Sequence, residues 1–163
     1  MALGCLATVA AADYVLHRRR PRWILIGAFD HPAHMATAGL VLLNLGPRPA
    51  DWRKGFMVGS LLPDLDHLPL VLQHAGRSAD DPRPVTHCLL AAAPVGAIAV
   101  ARGSEPLAGM AVGMLAHFLR DLGVGSGVPL LWPATARRLR IPYTLYAAGC
   151  LILARRATLR YGL

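Results

Sequence analysis

The chain has 163 residues, 55% of them hydrophobic and 16% charged, with mean hydropathy +0.43 and a formal charge of +8. That apolar content excludes intrinsic disorder, and three scattered cysteines (Cys5, Cys88 and Cys150) exclude a disulfide scaffold. The length fits one domain spanning 1–163, which leaves a basic nucleic-acid binder with a large core or a membrane protein with cations at the ends of its spans.

In chain order, the apolar segments cover 1–16, 23–45, 55–72, 86–101, 106–132 and 141–154. The second is interrupted at Asp30-His31-Pro32 and the third at Pro63-Asp64-Leu65-Asp66-His67. The fifth is broken by His117, Arg120, Asp121 and a glycine-rich run. A membrane span needs roughly 20 apolar residues, and several of these segments are shorter or broken. The expected fold is therefore all-α: a polytopic integral membrane protein of four to six membrane helices, with some segments broken or partial. Residues 73–84 form the one clearly polar linker.

The positions of the cations choose between the two classes. Sixteen of the seventeen are arginine, and most stand in short runs: Arg18 to Arg22, Arg48 to Lys54, Arg137 to Arg140 and Arg155 to Arg160. These runs bracket the apolar segments, as headgroup anchors do. The aromatics do not accompany them, so no nucleic-acid partner is expected. The first run follows its apolar segment instead of preceding it, which reads as an uncleaved anchor with cytoplasmic arginines. The later loops leave the orientation open.

The scarce acids carry more information. Five of nine (Asp13, Asp30, Asp64, Asp66 and Asp121) lie within apolar segments, as do His31, His34, His67, His87 and His117. A carboxylate at the centre of a membrane helix costs about 2.5–3.5 kcal/mol on insertion scales. A metal ion would compensate several at once, because it takes neutral imidazole and ionised carboxylate as ligands. Asp64-Leu65-Asp66-His67 lies between Pro63 and Pro69, where a tight turn can aim three side chains at one point. His117 and Asp121 share one helix face at i,i+4 spacing.

Blander readings exist for each residue. Asp64 can cap a helix, and His117 and Asp121 can hydrogen-bond each other, or Asp121 can pair with Arg120. His34, one turn after Pro32, can stand near a helix start capped by Asp30 or His31. His87 can cap an apolar helix, and Asp13 can pair with His17, one turn away. Gly109 and Gly113 form a Gly-x-x-x-Gly that favours close helix packing. There is no P-loop, G-x-G-x-x-G, G-x-S-x-G or H-E-x-x-H motif.

Four blocks, in order, resemble the YdjM/YbcI-like family of membrane-bound metal-dependent hydrolases. They are His34-Met-Ala-Thr-Ala-Gly-Leu, Gly59-Ser-Leu-Leu-Pro-Asp-Leu-Asp-His67 and Arg83-Pro-Val-Thr-His-Cys-Leu-Leu90. The fourth, from Leu107 to Pro133, contains Gly113-Met-Leu-Ala-His-Phe-Leu-Arg-Asp121 and Gly127-Val-Pro-Leu-Leu-Trp-Pro133. The likeness covers residues 33–142; residues 1–30 form an N-terminal anchor extension and 143–163 a C-terminal helix and basic tail. The chain departs from the family at Pro82, where a histidine is usual, at Cys88 in place of serine, and after Asp121, where Leu-Gly-Val-Gly replaces D-x-x-T.

The resemblance implies a polar cluster of His34, Asp64, Asp66, His67, His87, His117 and Asp121; Asp30 and His31, which the charge pattern alone singles out, rank below them. It implies a divalent metal, zinc or manganese, with ligands enough for two ions. Asp66 or Asp121 would be the proton acceptor for a metal-activated water, and Arg120 would hold an anionic headgroup. The expected function is hydrolysis of a lipid or lipid-linked ester or phosphoester in the cytoplasmic (inner) membrane. The alternative is a metal-binding transporter or sensor using the same cluster.

Overall fold

Alanine and leucine, both strong helix formers, dominate the apolar stretches, and these stretches become helices. A computed structural model describes residues 1–19, 23–67 and 86–162. The polar linker 73–84 lies outside the described residues, with Arg20, Arg22, Pro69, His74, Pro82 and Arg83. Six α-helices are present among the described residues: α1 (Ala2–Arg19), α2 (Trp23–Leu45), α3 (Ala50–Gly59), α4 (Leu89–Arg102), α5 (Glu105–Gly123) and α6 (Tyr143–Tyr161). No strand accompanies them there, only an isolated bridge between Val128 and Leu139.

The helix α2 differs from the sequence reading, which broke it at Pro32. It runs continuously through Pro32, so neither Asp30 nor His31 caps a helix start. Proline has no N–H to offer the carbonyl of Ala28, yet packing against α1 and α5 keeps the axis going. The consequence is that Asp30 and His34 become i,i+4 neighbours on one face. The break at Pro63 is real: α3 ends at Gly59, and Leu62–Asp66 form a single 3-10 turn with proline in its first turn. Asp64 sits inside that turn, whose N-cap is Leu61, so it does not act as a cap.

The tightest packing joins α3 to α5. Gly55 and Gly59 lie against the Pro106 and Met110 carbonyls, and Gly109 and Gly113 against those of Trp52 and Phe56. A Cβ at any of these four positions would collide with the backbone of the facing helix. The Gly109–Gly113 pair thus packs as expected, and its partner pair on α3 completes the seam. Around it, Ala38, Trp52, Phe56 and Ala116 form one core patch. A second patch joins α1, α2 and α6 through Val9, Leu40, Tyr146 and Cys150, and a third joins α4 to α5 through Ala92, Met114 and Phe118. Gly103, at φ +59°, caps α4 in the left-handed region. That turn lets α4 reverse into α5 within a few residues.

Among the described residues no helix is long and apolar enough to cross a membrane. Length alone is not limiting: α1, α2, α5 and α6 have 18–23 residues and reach about 27–35 Å at 1.5 Å per residue. Polar residues inside them lower their hydropathy, namely Asp13 and His17 in α1, Asp30, His31 and His34 in α2, and His117, Arg120 and Asp121 in α5. The all-α expectation is met, and helix hydropathy gives no support to the four to six spans.

Candidate metal centre

The glycine seam fixes the first ligand. Where α3 ends, the Ser60 carbonyl accepts a hydrogen bond from His117 Nδ1 at 2.9 Å. A carbonyl only accepts, so Nδ1 carries the hydrogen and Nε2 is left with its lone pair. That nitrogen is buried with no hydrogen-bond partner, 3.0 Å from Asp121 Oδ2 and 3.5 Å from Asp64 Oδ1. A backbone carbonyl orienting one ring nitrogen while the other faces carboxylates is the usual support of a metal-binding histidine.

The other side chains arrive from separate elements. His87 precedes α4, whose first N–H, at Leu89, is held by the Leu130 carbonyl at 3.0 Å. Its Nε2 lies 3.7 Å from Asp64 Oδ1 and 3.6 Å from Asp121 Oδ2, and its Nδ1 lies 3.5 Å from Asp66 Oδ2. His34, from α2, stacks on His117 with ring centroids 3.9 Å apart. Just after the 3-10 turn, His67 Nδ1 is 3.0 Å from Asp66 Oδ1 and 3.6 Å from Asp64 Oδ1. The seven residues named from the sequence are thus brought together.

These distances suit ligands of a common cation. Bonds of about 2.0–2.1 Å in tetrahedral geometry place ligand atoms about 3.3–3.4 Å apart. His87, His117 and Asp121 supply three such atoms, two nitrogens and one oxygen, and Asp64 Oδ1 lies 3.5 Å from the His117 nitrogen and 3.7 Å from the His87 nitrogen. Both ring nitrogens of His34 and of His87 are buried without hydrogen-bond partners. Such groups are costly unless something else satisfies them. Three overlapping sets have ligand atoms close enough for an ion: His34, Asp64 and His117; Asp64, His67 and His87; His87, His117 and Asp121. The donor set therefore fits a divalent metal.

Burial is graded across the cluster. His34, His87, His117 and Asp121 are fully buried, whereas Asp64, Asp66 and His67 in the turn are partly exposed. The Asp64 carboxylate lies 3.5–3.7 Å from the His117, His67 and His87 nitrogens, and Asp66 lies 3.0 Å from His67 Nδ1 and 3.5 Å from His87 Nδ1. Half-exposed His31 reaches the rim, with Nε2 3.4 Å from Asp64 Oδ2.

Beside the cluster lies a second buried network that sequence reasoning missed. Arg120 has no exposed surface. Its Nη2 donates to Asp13 at 2.9 Å and to Asp30 at 2.8 Å, its Nε to Asp30 at 3.1 Å, and its Nη1 to the Tyr146 hydroxyl at 3.1 Å. Tyr143 donates to Asp13 Oδ2 at 3.0 Å, and Tyr146 meets Thr37 at 2.7 Å. Asp13 therefore does not pair with His17 through its carboxylate; His17 Nδ1 instead meets the Asp13 carbonyl at 2.9 Å. The sequence signal was charge complementarity: Arg120 stands away from the arginine runs, among apolar residues, and two acids stand equally alone.

No curated protein and no solved structure matches the chain. A family model described as the YdjM inner membrane protein matches residues 26–160, well over half of the chain and all seven cluster residues. The chain belongs to the YdjM inner membrane protein family.

Proposed function

We propose that this protein is a membrane-embedded, metal-dependent hydrolase acting on a lipid or lipid-linked ester or phosphoester. The observation that carries the reading is the buried meeting of His87 and His117 with Asp121, both Nε2 atoms without a hydrogen-bond partner and close enough to the carboxylate to hold one cation with it. The membrane setting is supported by the family's description and by an inverted polarity. Leu3, Val100, Leu145, Leu151, Ile152 and Leu159 are exposed while Asp13, Arg120 and Asp121 are buried. Exposed apolar faces around a polar interior suit a lipid surround, with α1, α4 and α6 carrying these residues.

A bound divalent cation, zinc or manganese, would supply acidification of water and polarisation of the scissile oxygen. The chain's own residues do the rest. Asp66, more exposed than the buried Asp121, takes the proton of the attacking water. Asp121, fully buried, faces the His34, His87 and His117 nitrogens as a ligand oxygen beside them. Ser60 fixes the His117 tautomer.

Two measurements test this. Protein purified in detergent is expected to retain metal stoichiometrically. Asp64→Ala and His117→Ala are expected to weaken metal binding by more than the roughly 10–100-fold that outer partners command. Metal-free wild type would remove the reading. Purified protein is then offered phospholipids and polyprenyl phosphates, with metal-dependent product release expected. Retained metal without turnover, together with metal flux into proteoliposomes, would replace hydrolysis by transport.

A further inference from the structure

The segment joining α5 to α6 is pinned to the cluster's supports at three points. The Ile141 N–H donates to the Leu122 carbonyl at 2.8 Å, one residue after Asp121. The Leu130 carbonyl accepts from the Leu89 N–H, two residues after His87. The Leu130 side chain packs, as does Leu62 of the 3-10 turn, on the patch of Ala92, Met114 and Phe118. Val128 and Leu139 exchange backbone hydrogen bonds of 3.1 and 2.8 Å, which close residues 129–138 into a loop. A turn at its start, with the Trp132 N–H donating to the Pro129 carbonyl at 3.0 Å, leaves Leu131 and Trp132 exposed. Arg137, Arg138 and Arg140 follow, all exposed. Gly127, at φ +81°, gives the Arg140 stem its place, since a Cβ there would collide with it. The sequence has no Asp or Glu after Asp121, and no ion pair holds these three arginines among the described residues.

We propose that this loop docks on an anionic phospholipid leaflet, with Trp132 at headgroup depth and Arg137 and Arg138 on lipid phosphates. A leucine and a tryptophan left outside, followed by cations with no counter-ion in the fold, suit a surface that is apolar below and anionic above. The indole sits at the boundary of such a surface, and guanidinium groups take phosphate oxygens in pairs. The three pins place that contact on the elements that carry His87, Asp64 and Asp121, so anionic lipids are concentrated beside the cluster. The inference rests on the membrane setting proposed above, and on neither a bound metal nor hydrolysis. To that setting it adds the charge of the lipid.

The experiment reconstitutes the full chain into vesicles of phosphatidylcholine mixed with phosphatidylglycerol, with bromine on the acyl chains of one lipid or the other. Bromine quenches tryptophan emission on contact, and the difference between wild type and Trp132→Phe isolates Trp132 from the other two tryptophans. Trp132 is expected to be quenched, and more strongly by the brominated anionic lipid. An arginine near an anionic surface is worth about fivefold in partition. The preference for phosphatidylglycerol, taken from quenching at varied composition, should therefore fall about fivefold in Arg137→Gln and about fivefold again when Arg138→Gln is added. Arg155→Gln with Arg156→Gln is the control: it removes the same charge about 18 Å along α6 from Tyr143 and should leave the Trp132 preference unchanged. An unquenched Trp132, equal quenching by the two lipids, or a preference that survives Arg137→Gln with Arg138→Gln would overturn the docking and leave the membrane setting intact. A chain that floats with no vesicle at all would defeat the membrane setting and the docking with it.

Discussion

Replacing Arg120 by methionine is expected to destabilise the protein by about 3–5 kcal/mol, the usual result of removing one partner from a buried ion network. The guanidinium is fully enclosed and binds Asp13 from α1, Asp30 from α2 and Tyr146 from α6. Methionine fills much of the volume, so the loss comes from the two carboxylates left facing each other without a cation. A thermal melt in detergent measures it. Removing one of the two facing acids with Asp13→Asn in the Arg120→Met background should recover part of the loss, because the repulsion between the carboxylates is relieved and one charge fewer is buried. No recovery would mean that the arginine acts through its shape instead of its charge.

Gly113→Ala is the second large effect. The added methyl meets the Phe56 carbonyl and the Ser60 N–H at distances no side chain tolerates, so α3 must move away from α5. Overpacking of this kind costs about 1–3 kcal/mol. The same movement draws the Ser60 carbonyl off His117 Nδ1, which releases the ring and should weaken metal binding about 10–100-fold. Gly149→Ala is the control: it lies inside α6 with open space around it. There, alanine should stabilise by up to about 1 kcal/mol through helix propensity and leave metal binding unchanged. Equal metal affinity in Gly113→Ala and wild type would separate the seam from the site.

The site was more legible in the sequence than its supports. Histidines and acids in apolar stretches are conspicuous because their burial is costly, and His117 and Asp121 could be placed on one face by spacing alone. Asp64, Asp66 and His67 were marked by the proline that opens their turn. The Arg120 network was hidden because its members lie on four helices far apart in the chain, and no local spacing connects Asp13 to Arg120. The seam was half visible, since Gly109 and Gly113 signal close packing without saying which helix they meet. Continuity of α2 through Pro32 was illegible because proline's local preference was overridden by contacts with α1 and α5.

One carboxylate has a bearing on where the functional unit begins. Asp13 belongs to α1, ahead of the residues that match the family model. A fragment trimmed to residues 26–160 would keep all seven cluster residues and lose a counter-ion of Arg120. It would carry a less neutralised guanidinium next to Asp30 and pull that carboxylate toward it, away from His34. Expression boundaries drawn from sequence similarity alone would therefore cut through the electrostatic support of the centre, and α1 should be kept in any minimal version of this protein.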